Sequence, residues 1–164
     1  MSMVNEIKKQ FLQKECVPLI RSIDTTTLPR WGKMSAQQMV EHVSAFFKIS
    51  TEKLIFPLTT PVEHLPKYRE FLMSEKEFRE NTKAPVLPAD PLPVEYPAMD
   101  NAIADLQKQV NDFFGHFRGR PEKKTLHPAF GELNFEEWVQ LHYKHVRHHL
   151  KQFGIEIPAV KISS

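Results

Sequence analysis

The chain has 164 residues, 41% of them apolar and 26% charged, with a net charge of +2, which is about one domain of ordinary globular sequence. Basic residues are interspersed with acids, which argues against a nucleic-acid surface, and the densest cluster, Arg118, Arg120, Lys123 and Lys124, reads as a solvated loop around Gly119 and Pro121. No run of ~18 apolar residues and no apolar segment near the amino end suggests a membrane span or signal peptide, and the only cysteine, Cys16, has no partner for a disulfide or thiol metal site, so a cytoplasmic setting is expected.

Four segments carry helical periodicity and none shows sustained strand alternation, so the reading is all-α, a helical bundle forming a single domain over residues 1–164. Twelve Phe, two Trp and three Tyr, each able to bury roughly 150–250 Å², supply its core. A first helix is predicted over residues 4–23, with Ile7, Phe11, Leu12, Cys16 and Leu19 along one side and Pro18 kinking its end. A loop over 25–31 follows. Ser35 and Gln38 then form a capping-box signature that starts the second helix at Ser35 and carries it to about residue 54. Prolines at 57, 61, 66, 85, 88, 91, 93 and 97 exclude a long helix there, since each costs about 3 kcal/mol in a helix interior. One short amphipathic helix fits over 66–82, and APVLPADPLPVEYP reads as an extended, polyproline-like crossover. Asp100 is placed to cap a third helix reaching residue 117, with Ile103, Leu106, Val110, Phe113 and Phe114 facing inward. A loop containing HPAFGEL leads to Asn134 and Glu137, a second capping pair, which open the last helix at about Phe135; Gly154 ends it. One roughly forty-residue link among short ones suits a bundle with a single long crossover between its second and third core helices.

The last helix has an unusual apolar stripe. At ~100° per residue, Trp138, Leu141, His142, His145, His149, Gln152 and Phe153 fall within roughly 60° of one direction, and His145 and His149 lie near its axis, where leucine would ordinarily pack. Side chains four apart on a helix have Cβ atoms ~5–6 Å apart, so both imidazoles can reach one ion. On the second helix His42 stands beside the inward Met39, Val43 and Phe46, while Gln37, Glu41 and Lys48 face away. A lone inward histidine is more often a hydrogen-bonded core residue than a ligand. Three imidazoles converging among apolar neighbours, however, lack partners at ~1–3 kcal/mol per unsatisfied group, and a divalent metal on His42, His145 and His149, with an open coordination position, resolves the deficit. Val146 follows His145, so the HExxH base of zinc peptidases is missing. Gln152 is a candidate pocket residue. His142 suits either that role or a half-exposed surface position, and His127, before Pro128 in a loop, either lines the pocket mouth or is solvated.

WGKMSAQQMVEH, followed much later by HVRHHLKQF, resembles the DinB/YfiT-like metal-binding superfamily. In that family a tryptophan opens the loop before the second helix, a histidine closes an early turn of that helix, and the last helix carries HxxxHxxQ; Trp31, His42, His145, His149 and Gln152 occupy those places. The likeness covers the second and last helices well and the middle of the chain poorly, and HPAFGELNFEEWVQLHYKHVRHHLKQFG resembles an uncharacterised branch. The resemblance implies an up-down-down-up four-helix bundle, a three-histidine site for zinc or nickel, and frequent homodimers. It also implies thiol-dependent transferases and isomerases using bacillithiol, mycothiol or glutathione, beside relatives of no known activity.

The leading expectation is therefore a metal-dependent enzyme acting on a small-molecule substrate, a low-molecular-weight-thiol S-transferase or a hydrolase. In it the ion lowers the pKa of a bound thiol or water, and Gln152, His142 and Trp138 shape the pocket. No carboxylate is placed to serve as general base. Two rival readings are a non-catalytic, stress-linked metal-binding bundle and a metal-free helical interaction protein. Fold likeness alone does not choose among them.

Overall fold

The computed structural model describes residues 3–80, 82, 90–158 and 160. Helix α1 (Met3–Gln10) continues through a π-helical turn, Phe11–Glu15, into α2 (Cys16–Arg21). One kinked helix was the expectation; the distortion instead lies one turn ahead of Pro18. A proline ring displaces the carbonyl four residues back and offers no N–H, and here the backbone widens so that the Cys16 N–H reaches the Phe11 carbonyl. The buried Cys16 thiol donates to the Leu12 carbonyl at 3.1 Å, and burial pushes its pKa up to about 12, so it is not a nucleophile.

Helix α3 (Ala36–Ser50) begins at the expected capping box: Gln38 N donates to Ser35 Oγ at 3.1 Å and Ser35 N to Gln38 Oε1 at 2.9 Å. It stops before residue 54 because Glu52 takes a left-handed φ of 64°, turning the Lys53 and Leu54 N–H groups back onto the Lys48 carbonyl at 2.9 and 3.1 Å. A 3-10 turn, Val62–His64, precedes α4 (Leu65–Met73). That helix also ends early: Ser74 is extended, at ψ 168°, and its hydroxyl accepts from Lys76 N at 3.2 Å. Helix α5 (Met99–Phe117) is preceded by Ala98 as N-cap. Asp100, expected as the cap, lies inside the first turn, where a carboxylate still favours the positive end of the helix dipole.

The first part of the expected polyproline-like stretch, residues 84–89, lies outside the described residues. From Asp90 onward the crossover is strapped to α3 by side chains. Lys33 pairs with Asp90 at 3.2 Å, Gln38 Nε2 donates to the Leu92 carbonyl at 2.9 Å, and Gln37 Nε2 to the Tyr96 carbonyl at 2.8 Å. The Glu41 carboxylate accepts from the Glu95 and Tyr96 N–H groups at 2.7 and 3.4 Å. The strap thus satisfies its backbone without a helix or sheet of its own.

The HPAFGEL loop is a hairpin. Strands β1 (Thr125–His127) and β2 (Gly131–Leu133) pair antiparallel, with Thr125 opposite Leu133 and His127 opposite Gly131. The fold is thus mostly helical with a small two-stranded sheet, not purely α. Three-residue strands are too short to declare an alternation.

Helix α6 (Phe135–Gln152) opens on the second capping box, with Glu137 N donating to Asn134 Oδ1 at 2.9 Å and Asn134 N to Glu137 Oε1 at 3.0 Å. A single buried stripe was expected, but every residue from Glu137 to Val146 is buried. Helices α1, α3 and α4 and the hairpin all pack on α6, while α3 and α5 form the other main helix pair, joined by rings such as Phe47 and Phe113 at 5.7 Å. The side of α6 away from the histidines is polar and paired. Lys8, 1% exposed, donates to Gln140 Oε1 and Glu75 Oε1, both at 2.7 Å, and Gln140 Nε2 lies 3.0 Å from the Leu72 and Ser74 carbonyls. Lys144 donates to the Lys76 carbonyl and lies over the Phe71 ring. Among the described residues no helix is long and apolar enough to cross a membrane.

Replacing Glu41 by Ala removes the acceptor for two strap N–H groups. At about 1 kcal/mol the melting midpoint should fall by roughly 2–4 °C, and the Glu95 and Tyr96 amides should exchange faster in hydrogen-exchange measurements. Unchanged protection at both amides would show that the strap does not depend on Glu41.

Candidate metal centre

His42 projects from the middle of α3, and His145 and His149 from the last turns of α6. All three present Nε2 to one point. His145 Nε2 lies 3.0 Å from His42 Nε2 and 3.0 Å from His149 Nε2. The three donor nitrogens all lie within 4.8 Å of one another, a grouping that could hold one metal ion. His145 and His149 are 6% and 7% exposed, and Phe46 forms a wall, its ring 4.0 Å from that of His145.

The rings are neutral. Burial holds His42 down to about 4, helped by His148. Burial also holds His145 well below the ordinary imidazole value, with His149 and His42 adding to it, and His149 likewise, with His42 and His148 adding. Neutral imidazoles with lone pairs are the form that ligates metal.

Their hydrogen bonding to one another leaves a lone pair unmatched. His149 Nδ1 contacts Gln152 Oε1 at 2.8 Å, which puts the proton on Nδ1 and a lone pair on Nε2. His145 Nε2 has one in-plane site. A lone pair there opposes that of His149; a proton there is forked between two acceptors and leaves His145 Nδ1, buried and without a hydrogen-bond partner, as a stranded lone pair. Either arrangement leaves a nitrogen lone pair without a donor among the described residues. The donor set, three neutral nitrogens from two helices, could hold a divalent ion.

The other expected site residues are distributed differently. Gln152 sits against His149 and donates through Nε2 to the Trp31 carbonyl at 3.0 Å. His142 is fully buried, not half-exposed: its ring stacks on Phe47 at 3.9 Å, and its Nε2 lies 3.0 Å from Ser50 Oγ. Because Ser50 Oγ donates to the Phe47 carbonyl at 2.7 Å, it accepts from His142. Trp138 donates from Nε1 to Thr125 Oγ1 at 2.7 Å, and that hydroxyl lies 2.8 Å from the Ser50 carbonyl. Trp138 and His142 therefore form a core network beside the triad. His127, expected in a loop, ends β1 and is buried; its Nδ1 accepts from the Ala129 and Phe130 N–H groups at 2.9 and 3.2 Å. Its ring lies 6.0 Å from that of Phe46 and 5.6 Å from that of Trp138, on the flank of the centre. Thr125 and Ser50 carry no sequence signal, since small hydroxyl residues occur everywhere.

Burial fixes a pH dependence. Folded His42 and His127 titrate at about 4 and about 3, and His142 also well below 6.5, the value of a free imidazole. Below pH 6.5 the unfolded chain binds protons that the folded chain does not, so stability is full above that pH and is lost as pH falls toward 4. The melting midpoint of the metal-free protein should drop steadily from pH 7 to pH 4; a flat profile over that window would show that these rings are not held neutral.

No curated protein and no solved structure matches the chain. One family model does, that of "Protein of unknown function (DUF1569)", over residues 10–155, a span that contains His42, His145, His149 and Gln152. The chain belongs to this family.

Proposed function

We propose that this chain is a single-domain, DinB-like four-helix bundle in which His42, His145 and His149 hold one divalent ion, zinc or nickel, for a reaction on a small-molecule substrate. The observation that carries the reading is the convergence of three Nε2 atoms, those of His145 and His149 buried, with a 3.0 Å spacing on either side of His145. Among the described residues no carboxylate or thiolate joins this group. Three neutral ligands leave the ion its full charge, and an ion so held lowers the pKa of a bound thiol or water enough to make a nucleophile near neutral pH.

The chain's own residues then have limited tasks. The imidazoles bind, Phe46 covers one side of His145, and His142, Trp138 and His127 stiffen the α3–α6–hairpin junction behind the ligands. Cys16, buried and held protonated, is not the thiol of the reaction. A low-molecular-weight-thiol S-transferase acting with an external thiol cosubstrate is the reaction class we favour, with hydrolysis by bound water as the alternative chemistry. The DinB-like resemblance of WGKMSAQQMVEH and HVRHHLKQF supports the thiol. It also supports an up-down-down-up helix course and a homodimer, while the lone, buried Cys16 supports a cytoplasmic setting.

Purified wild type should take up one equivalent of zinc or nickel per chain, and His145→Ala should retain almost none. Equal metal content by mass spectrometry in the two would sink the site. At an ion concentration a hundredfold above Kd, linkage predicts about 2.7 kcal/mol of stabilisation, or roughly 5–11 °C in melting midpoint. A screen of electrophiles against several low-molecular-weight thiols tests the reaction; a loaded protein inert to all of them, and to water, would be a non-catalytic metal-binding bundle.

A further inference from the structure

Gln152 closes α6 and makes two side-chain contacts whose chemistry fixes each other. The Trp31 carbonyl can only accept, so the amide group 3.0 Å from it is Nε2–H. The opposite end of the amide is therefore Oε1, which can only accept, and it lies 2.8 Å from His149 Nδ1. Nδ1 of His149 thus bears the ring proton, and Nε2 is left as a lone pair facing His145. The same residue holds the loop a second time through its main chain, since its carbonyl accepts from Arg30 N at 2.7 Å.

We infer that Gln152 is a positioning residue of the metal centre, locking His149 into the Nδ1–H tautomer that aims Nε2 at the ion and tying that ring to the backbone of Trp31. Partners of this kind orient metal-bound imidazoles and raise their basicity. Positive charge at Nε2 polarises the Nδ1–H bond, strengthens its hydrogen bond to Oε1, and through the amide strengthens that from Nε2 to Trp31. The loop carrying Arg30 and Trp31 is in this way coupled to occupancy of the centre. Spacing serves the arrangement: residues 149 and 152 are three apart on one helix, the separation at which side chains meet. A buried amide placed only for packing would need partners too, but would not dictate the tautomer of its neighbour.

The inference rests on the metal reading, and the test separates the two. In metal-free protein, 15N chemical shifts of the histidine ring nitrogens should show His149 as the Nδ1–H form, and Gln152→Leu should convert it to a mixture or to the Nε2–H form. This arm needs no ion. In zinc or nickel titrations followed by calorimetry, Gln152→Leu should bind about 10- to 100-fold more weakly. Gln152→Glu, which still accepts from Nδ1–H but cannot donate to the Trp31 carbonyl, should keep the Nδ1–H tautomer and lose less affinity than Gln152→Leu. A wild type that binds neither ion removes the metal reading, while the tautomer measurement still decides the role of Gln152. An unchanged tautomer in Gln152→Leu overturns the inference, as does equal loss of affinity in folded Leu and Glu variants, since both would reduce Gln152 to a packing residue.

Discussion

Helix α6 is enclosed on every side from Glu137 to Val146, so it cannot turn a polar side chain to water, and each must find a partner within the protein or carry the cost of going without. On one flank this is done with Lys8, Glu75 and the carbonyls at the end of α4, which take up Gln140, and with the Lys76 carbonyl, which takes up Lys144. On another, Ser50 and Thr125 receive His142 and Trp138. At the remaining flank, where His145 and His149 meet His42, the protein supplies hydrogen-bond partners only to the far side of His149. Ser44 Oγ and His142 Nδ1 are also buried without a hydrogen-bond partner, but the candidate centre is the place where three imidazoles turn their ring nitrogens on one another.

That view joins the fold to the chemistry. The strap over residues 90–96 is pinned by Gln37, Gln38 and Glu41, in the two turns before His42, so the outer face of α3 is occupied in holding the crossover while its inner face carries His42. The hairpin packs on both α3 and α6 and brings His127 and Phe130 beside Phe46 and Trp138. Three elements distant in sequence thus stiffen the junction at which the imidazoles meet.

What could be read from the chain follows the range of each interaction. Ser35 with Gln38 and Asn134 with Glu137 each act across three residues, and both helix starts fall where the sequence places them. His145 and His149 are legible for the same reason. Gln140 and Lys144 were not: their polarity points outward, and only Lys8 and the end of α4, far away in the chain, make their burial affordable. Glu52 gave no warning of its left-handed turn, and the strands of the hairpin are too brief to alternate. His42 and His127 lie between these cases, since a histidine's type shows in the sequence and its surroundings do not. The placement of His42 needed the idea of convergence, and that of His127 needed the hairpin.

Two of the three imidazoles are four residues apart, while His42 and His145 are separated by 103. Any bond that joins them encloses the crossover, α4, α5 and the hairpin in a single ring. In the chain-entropy treatment of covalent ties, closing a loop of about 100 residues restricts the unfolded ensemble by about 4.7 kcal/mol. An ion shared by these two side chains would act as a reversible staple of that kind, tightening segments that never touch it. Its removal would then be felt in the unfolding of the whole enclosed segment, at a distance from the histidines themselves.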